Sequence, residues 1–203
     1  MLHFNTISEH TLALLRKLQS FDLFKELRLV GGTSLALQKG HRISVDIDLF
    51  GKVDMQELEF SGMFNQFETY VEIQKSRNIH IYAINETKVD IVNYPYQWIE
   101  EPVICQDLKL AGVKDVAAMK LSAISGRGSK KDFVDIHLLL KEFSLSQLLS
   151  FYELKYPEGN SYMVIKSLSY FADADLEEDP NMLISYDWEE IKKEIRNILK
   201  KQI

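Results

Sequence analysis

The chain has 203 residues, of which 46% are hydrophobic and 27% are charged, a composition typical of a globular protein with a sizeable core. The formal net charge of −6 excludes nucleic-acid binding through bulk positive charge, although a local basic patch is compatible with it. The single cysteine excludes an internal disulfide and a thiolate zinc cluster, and favours a reducing cytoplasm.

The first half of the sequence combines helical and strand patterns. Apolar spacing and β-branched or aromatic runs predict, in chain order, a helix at 8–21, a strand at 27–30, a helical turn at 33–38, a strand at 44–50, a helix at 55–67 and two or three antiparallel strands within 70–95. Ser8 is expected to cap the first helix. This half is therefore predicted to be mixed α/β.

The pattern changes after Pro102, where helical periodicity and strong helix formers dominate. Helices are predicted for 113–127, 130–143, 144–156, 160–174 and 185–201. We therefore expect two domains, an α/β core with an N-terminal helix at 1–104 and a helical domain at 105–203. The sequence has no apolar run of about 18 residues and no signal-peptide pattern, which predicts a cytoplasmic protein without a membrane span.

Two aspartates interrupt an apolar run in "SVDIDLF", residues 44–50. In a strand, Asp46 and Asp48 would project on the same face, where two like charges repel unless a cation lies between them. Asp90, in the middle of the apolar "KVDIV", would join them if its strand is a neighbour. Carboxylates of this kind suit Mg²⁺ or Mn²⁺ and a two-metal site for phosphoryl chemistry. The alternative is a set of solvated strand residues.

The residues just before this strand suggest a phosphate-binding turn. Gly31 and Gly32 allow the backbone to approach a ligand, Thr33 supplies a hydroxyl, and the following helix offers its N-terminus to a phosphate. A tight turn would also account for both glycines. The nearby pair His41 and Arg42 could touch the substrate, but the sequence favours a solvated loop for them. Together, the turn and the carboxylates are what nucleotidyl transfer from a nucleoside triphosphate requires.

The segment "GGTSLAL…GHRISVDIDLF" resembles the signature of the AbiEii/AbiGii nucleotidyltransferase toxin family, within the polymerase-β-like superfamily. The superfamily pattern of a glycine pair, a spacer, Asp-x-Asp and a later third carboxylate corresponds here to Gly32, Thr33, Asp46, Asp48 and Asp90. The resemblance implies an α+β fold, with a polymerase-β-like core of mixed sheet flanked by helices and then a C-terminal helical bundle. It also implies metal binding by the three aspartates and catalysis through them.

A second segment, "MKLSAISGRGSKKDFVDIHLLL", resembles the helical motif of the same family through the residues Lys120, Arg127, Lys131, Asp132 and Asp135. The resemblance implies a catalytic role for Lys120 and Asp132. It also implies nucleotide binding by Lys120, Arg127, Lys131 and Asp135. Ordinary structural roles compete with this interpretation. Lys120 could extend its amine to solvent from an apolar helix, Lys131 and Asp135 could form a surface ion pair, and Asp132 could favour a helix N-terminus.

The resemblance further implies the partners. An NTP would be the substrate, tRNA or another RNA the acceptor, and a separate DNA-binding antitoxin the protein partner, in an abortive-infection system that defends against phage. Phosphate contacts would also explain the basic bias of residues 109–131, which contain Lys109, Lys114, Lys120, Arg127, Lys130 and Lys131. Two alternatives remain open at this point: a small-molecule nucleotidyltransferase that modifies antibiotics, and a non-catalytic nucleotide-binding module.

Overall fold

The computed structural model of the chain describes residues 1–60 and 62–201. The described chain forms two compact units. The sheet unit comprises Met1–Tyr96 and Glu101–Ala111, and the helical unit comprises Gln97–Glu100 and Gly112–Ile203. The proposed division at residue 104 stays a prediction.

In the described residues, the sheet unit contains one mixed sheet with the strand order β3-β4-β5-β2-β1-β7-β6. The strands are β1 (Arg28–Leu29), β2 (Ile47–Gly51), β3 (Tyr70–Lys75), β4 (Ile79–Ile84), β5 (Thr87–Asn93), β6 (Val103–Cys105) and β7 (Leu108–Leu110). The pairs β2–β5 and β1–β7 are parallel and the other neighbours are antiparallel. The helices of this unit are α1 (Glu9–Gln19), α2 (Gly31–Lys39) and α3 (Met55–Phe60). The α+β class and the mixed sheet are confirmed.

Alternation along β2 and β5 gives the sheet two different faces. Ile47 and Leu49 of β2, and Val89 and Ile91 of β5, are fully buried in the hydrophobic core with α1 residues. Successive side chains of a strand point to opposite faces, so Asp48 and its neighbours at even positions lie on the other face. The burial of one face is what holds the acidic positions in register.

The helical unit has α4 (Val113–Gly126), α5 (Lys130–Leu140), α6 (Leu145–Lys155), α7 (Ser161–Leu168), α8 (Ala172–Asp175) and α9 (Trp188–Lys200). A fully buried ion pair joins α4 to α6, with Lys155 Nζ 2.7 Å from Asp115 Oδ1. Asp115 also accepts hydrogen bonds from the backbone N–H groups of Ile99 and Glu100. This carboxylate therefore ties residues 97–100 to the helical unit.

Four differences between the predicted elements and the structure bear on the fold. The strand predicted at 44–50 begins at Ile47, so Asp46 precedes it. The helix predicted at 55–67 is α3 followed by a short 3-10 turn at Met63–Gln66. Gly62 adopts a left-handed φ of 63°, which a helix interior does not tolerate, and residue 61 lies outside the described residues. The helix predicted at 160–174 is two helices, α7 and α8.

The fourth difference is the hairpin β6–β7, in a stretch where no strand was expected. Gln106 and Asp107 form its two-residue turn with φ values of 48° and 67°, as a type I′ turn requires. The usual sequence signal for such a turn is Asn-Gly or Asp-Gly, and "QD" lacks the glycine. Three-residue strands joined by this turn leave almost no periodic pattern to detect.

Candidate active site

Asp48 and Asp90 lie side by side on neighbouring parallel strands. They are direct partners in the register of β2 and β5, so their side chains share one face of the sheet at a strand spacing of about 4.8 Å. Asp90 is partly exposed, at 18% of its side-chain surface. Two carboxylates in this arrangement repel each other unless a cation compensates them, which fits the predicted metal-binding role.

Gly31 creates the space for Asp48. The glycine has a φ of +68°, and a Cβ added to it would lie 2.1 Å from Asp48 Oδ2. The Asp48 carboxylate is thus packed against the first residue of α2, and any larger residue at position 31 would push it away. A backbone hydrogen bond joins the two segments at the same place, since the Val30 N–H donates to the Asp48 carbonyl oxygen at 2.9 Å.

Asp46 is held through its backbone. The buried Thr33 hydroxyl donates to the Asp46 carbonyl oxygen and lies 2.9 Å from the Ser44 hydroxyl. Thr33 therefore ties the segment before β2 to the helix α2. Its hydroxyl is engaged within the protein, whereas the sequence interpretation assigned it to a triphosphate.

Asp90 contacts a cation that the chain itself supplies. Lys88 Nζ lies 2.8 Å from Asp90 Oδ2 and 2.7 Å from Oδ1. Oδ1 is buried and, despite this proximity, makes no hydrogen bond. Within residues 1–60 and 62–201, no group of three His, Cys, Asp or Glu side chains is arranged to hold a metal ion. The structure therefore brings Asp48 and Asp90 together, and the three-carboxylate metal site stays a prediction.

The N-terminus of α2 carries no side-chain cap in the described structure. Its first N–H groups, those of Gly31, Gly32 and Thr33, lack acceptors within the helix and form its positive end. Arg42 is buried beside this end, and a Cβ on Gly32 would lie 2.2 Å from its Nη2. The solvated loop expected for His41 and Arg42 is wrong, because both residues are buried.

In the helical unit, Lys120 lies between two buried carboxylates. Its Nζ is 2.8 Å from Asp132 Oδ1 and 2.5 Å from Asp135 Oδ2, and the three side chains are almost inaccessible to solvent. Lys120 on α4 and the two aspartates on α5 thus form a buried ionic cluster. The alternative of a solvent-directed Lys120 is wrong, and so is a surface location for Asp135.

Asp132 has further partners at the start of α5. The Arg127 Nε donates to Asp132 Oδ2 at 2.9 Å, and the Ser129 hydroxyl donates to the same oxygen at 2.6 Å. Burial alone would raise the pKa of Asp132, but Lys120 and Arg127 hold that pKa well below its usual range. Arg127 and Lys131 are exposed, so they are the members of this motif that solvent reaches.

This shift predicts how acid destabilises the protein. The folded-state pKa of Asp132 lies below the unfolded value of 3.8. The ionised carboxylate therefore contributes fully to the free energy of unfolding above that value, and this contribution is lost as the pH falls below it. The difference in unfolding free energy between the wild type and Asp132→Asn should therefore be constant above about pH 5 and shrink as the pH falls from there to about pH 2. Urea unfolding across this range measures it. The exposed Asp173→Asn is the control, and a difference for Asp132→Asn that does not change with pH would contradict the expectation.

Most of the basic side chains of residues 109–131 contact acidic groups or carbonyl oxygens of the protein itself. Lys120 is paired as described, and Lys130 is buried with its Nζ 3.0 Å from Asp179 Oδ1. Lys109 Nζ donates to the Lys25 carbonyl oxygen at 2.7 Å, and Lys114 Nζ lies 3.1 Å from a Glu100 carboxylate oxygen. The bias in sequence is therefore a weaker sign of phosphate binding than it first suggests.

Among the helices of the described chain, none combines the length and apolar character needed to cross a bilayer.

Comparisons with known proteins show relatives along almost the whole chain. An uncharacterized protein of Aquifex aeolicus (strain VF5) is 31% identical over 195 residues, covering 93% of this chain and 94% of that protein. Two solved structures share the fold. A candidate nucleotidyltransferase from H. pylori superposes with a TM-score of 0.62 at 17% identity, over 96% of this chain and 95% of that one. MenT4, a nucleotidyltransferase toxin of Mycobacterium tuberculosis, superposes with a TM-score of 0.53 at 13% identity, over 94% and 82%.

The sequence profile of the nucleotidyl transferase AbiEii toxin family, of type IV toxin–antitoxin systems, matches residues 13–201. The match includes the turn at Gly31, both carboxylate strands and the Lys120 cluster. Because it covers most of the chain, the resemblance noted from the motifs is confirmed. The chain belongs to the AbiEii nucleotidyltransferase toxin family.

Proposed function

We propose that this nucleotidyltransferase toxin moves a nucleoside monophosphate from an NTP to the hydroxyl of an RNA acceptor, with tRNA as the first candidate, and that it depends on Mg²⁺ or Mn²⁺. The pairing of Asp48 with Asp90 on parallel strands, next to the Gly31 turn, is the observation that carries the proposal. Family membership supports an NTP substrate and an antitoxin partner. A role in phage defence and a cytoplasmic location are part of the same proposal.

Asp48 and Asp90 are the residues that would hold the metal ion, with Asp46 one residue before the strand as a third ligand. Mg²⁺ takes one or two carboxylates and completes its shell with water and substrate phosphates, so this pair fits it. When bound, the metal neutralises the charge that develops on the transferred phosphate. Asp90 would either ligate the metal or accept the proton of the attacking hydroxyl, and its Oδ1, which makes no hydrogen bond although Lys88 Nζ lies 2.7 Å away, supports both roles.

The chain positions the substrate through its backbone. The N–H groups of Gly31 and Gly32 lie at the positive end of α2, where an anion is favoured by hydrogen bonds and by the helix dipole. In the reaction, the acceptor oxygen bonds to the α-phosphorus, the bond from that phosphorus to the β-phosphate oxygen breaks, and pyrophosphate leaves. The roles of Thr33, Lys120, Arg127, Lys131, Asp132 and Asp135 in nucleotide binding or catalysis remain proposals that rest on the family motif.

The test is a transfer assay with the purified full chain, Mg²⁺, each labelled NTP in turn, and total tRNA. We expect at least one NTP to label tRNA, and EDTA to abolish the labelling. Parallel reactions replace tRNA with aminoglycosides or lincosamides. Label on an antibiotic alone would favour the small-molecule alternative. A preparation that binds the metal–NTP complex but labels no acceptor would contradict the proposed activity.

A further inference from the structure

Three aromatic side chains form a continuous row at the end of the carboxylate strands. The Phe50 and Tyr94 ring centroids are 5.3 Å apart with an angle of 51° between the ring planes. The Tyr94 and Tyr96 centroids are 5.1 Å apart with an angle of 59°. Phe50 and Tyr94 are partly exposed to solvent. Tyr96, at the far end, is 43% exposed.

The row continues the face of the sheet that carries the aspartates. Phe50 follows Asp48 by two residues in β2, and residues at this spacing project on the same face. Tyr94 follows Asp90 by four residues and continues the β5 pairing, since its N–H donates to the Gly51 carbonyl oxygen at 2.9 Å. The opposite face of these strands is the hydrophobic core. The rings therefore lie outside the core, on the side of the candidate active site.

We propose that this row, Phe50–Tyr94–Tyr96, is a stacking platform for the nucleobase of the bound NTP. The inference rests on the proposed function, because it places the triphosphate at Asp48 and the Gly31 turn. Two strand residues span roughly 7 Å, which is comparable to the separation of an α-phosphate from its base across the ribose. Aromatic faces bind any base, since every base has a π-face.

The position of the row favours the base of the NTP, rather than a base of the acceptor RNA, as its ligand. Phe50 is the ring nearest in sequence to the metal-binding pair, at two residues from Asp48, and the ring centroids lead away from it in steps of about 5 Å. A base attached to the phosphate held at Asp48 meets this near end first. Stacking without hydrogen-bond readout predicts affinity for all four bases with little discrimination among them.

The test compares two ligands on the full chain by calorimetry with Mg²⁺ present: a non-hydrolysable α,β-methylene NTP, and inorganic triphosphate, which has no base. Phe50→Leu and Tyr94→Leu, which remove the two rings nearest the metal-binding pair, should weaken NTP binding by about 5- to 150-fold, the range for loss of one stacked base. Tyr96→Ala, at the far end, should have a smaller effect, and all three variants should leave triphosphate binding unchanged. Tyr94→Phe keeps the ring and should keep the affinity. Tyr70→Ala is the matched control, because Tyr70 is equally exposed, at 45%, and is paired with the core residue Ile84.

A second readout locates the base directly. Photocrosslinking with an azido-substituted purine nucleotide should label the peptide that contains Tyr94 and Tyr96 in the wild type, and free NTP should compete. A wild type that binds NTP no tighter than inorganic triphosphate would overturn the platform and leave the carboxylate site standing. Binding of neither ligand would overturn both proposals. Total tRNA is titrated against the same variants, and variants that lose tRNA affinity but keep NTP affinity would assign the row to the acceptor and contradict the inference.

Discussion

Asp48→Asn is expected to lower the rate of nucleotide transfer by at least about 100-fold, because a metal ligand contributes several kcal/mol to stabilising the transition state. Asparagine has nearly the same shape, so it preserves the packing against Gly31 while removing the charge. The measurement is the rate of label transfer from the preferred NTP to its acceptor, at saturating Mg²⁺.

The same substitution should not destabilise the protein. Asp48 lies directly opposite Asp90, and removing one of two like charges relieves their repulsion. The thermal midpoint should therefore stay the same or rise. Asp107→Asn is a suitable control, because Asp107 lies in a hairpin turn of the same unit at a positive φ, which asparagine tolerates. Full activity of Asp48→Asn would remove Asp48 from the mechanism.

Lys120→Met is expected to destabilise the protein by about 3–5 kcal/mol, the usual cost of removing one partner from a buried ion pair. Lys120 is the cation that both Asp132 and Asp135 contact, and all three side chains are buried. Without its amine, two buried carboxylates close to each other would lose the cation that they share, while Arg127 and Ser129 would still contact Asp132. Urea unfolding followed by circular dichroism measures the change in unfolding free energy.

A double variant keeps this prediction falsifiable if the single variant does not fold. Adding Asp135→Asn to Lys120→Met removes one of the two buried carboxylate charges of the broken cluster and should recover part of the lost stability. Lys131→Met is the matched control on the neighbouring helix, and as a surface substitution it should change stability by less than about 1 kcal/mol. A Lys120→Met protein as stable as the wild type would show that the buried cluster does not stabilise the fold.

Local residue patterns were sufficient for the core of the fold. The glycines that begin α2, the apolar positions of β2 and β5 and the helical periodicity after residue 112 are each encoded within a few consecutive residues. Their chemistry does not depend on distant parts of the chain, because strand and helix periodicity and turn chemistry are local properties. The family assignment also came from such short motifs, and the profile match confirms it.

Partners that are distant in sequence could be found only in the folded chain. Asp48 and Asp90 are far apart in sequence, and only the parallel register makes them neighbours. Thr33 and Lys120 carry polar groups that suit a phosphate, yet the fold directs the first to the Asp46 carbonyl oxygen and the second to buried aspartates.

Sequence alone therefore determined which residues could take part in nucleotidyl transfer, and in which elements most of them lie. Tertiary structure decided which charged groups pair with one another inside the protein. The physical reason is that a buried charge must have a partner, and the identity of that partner depends on how helices and strands pack, which no local pattern contains.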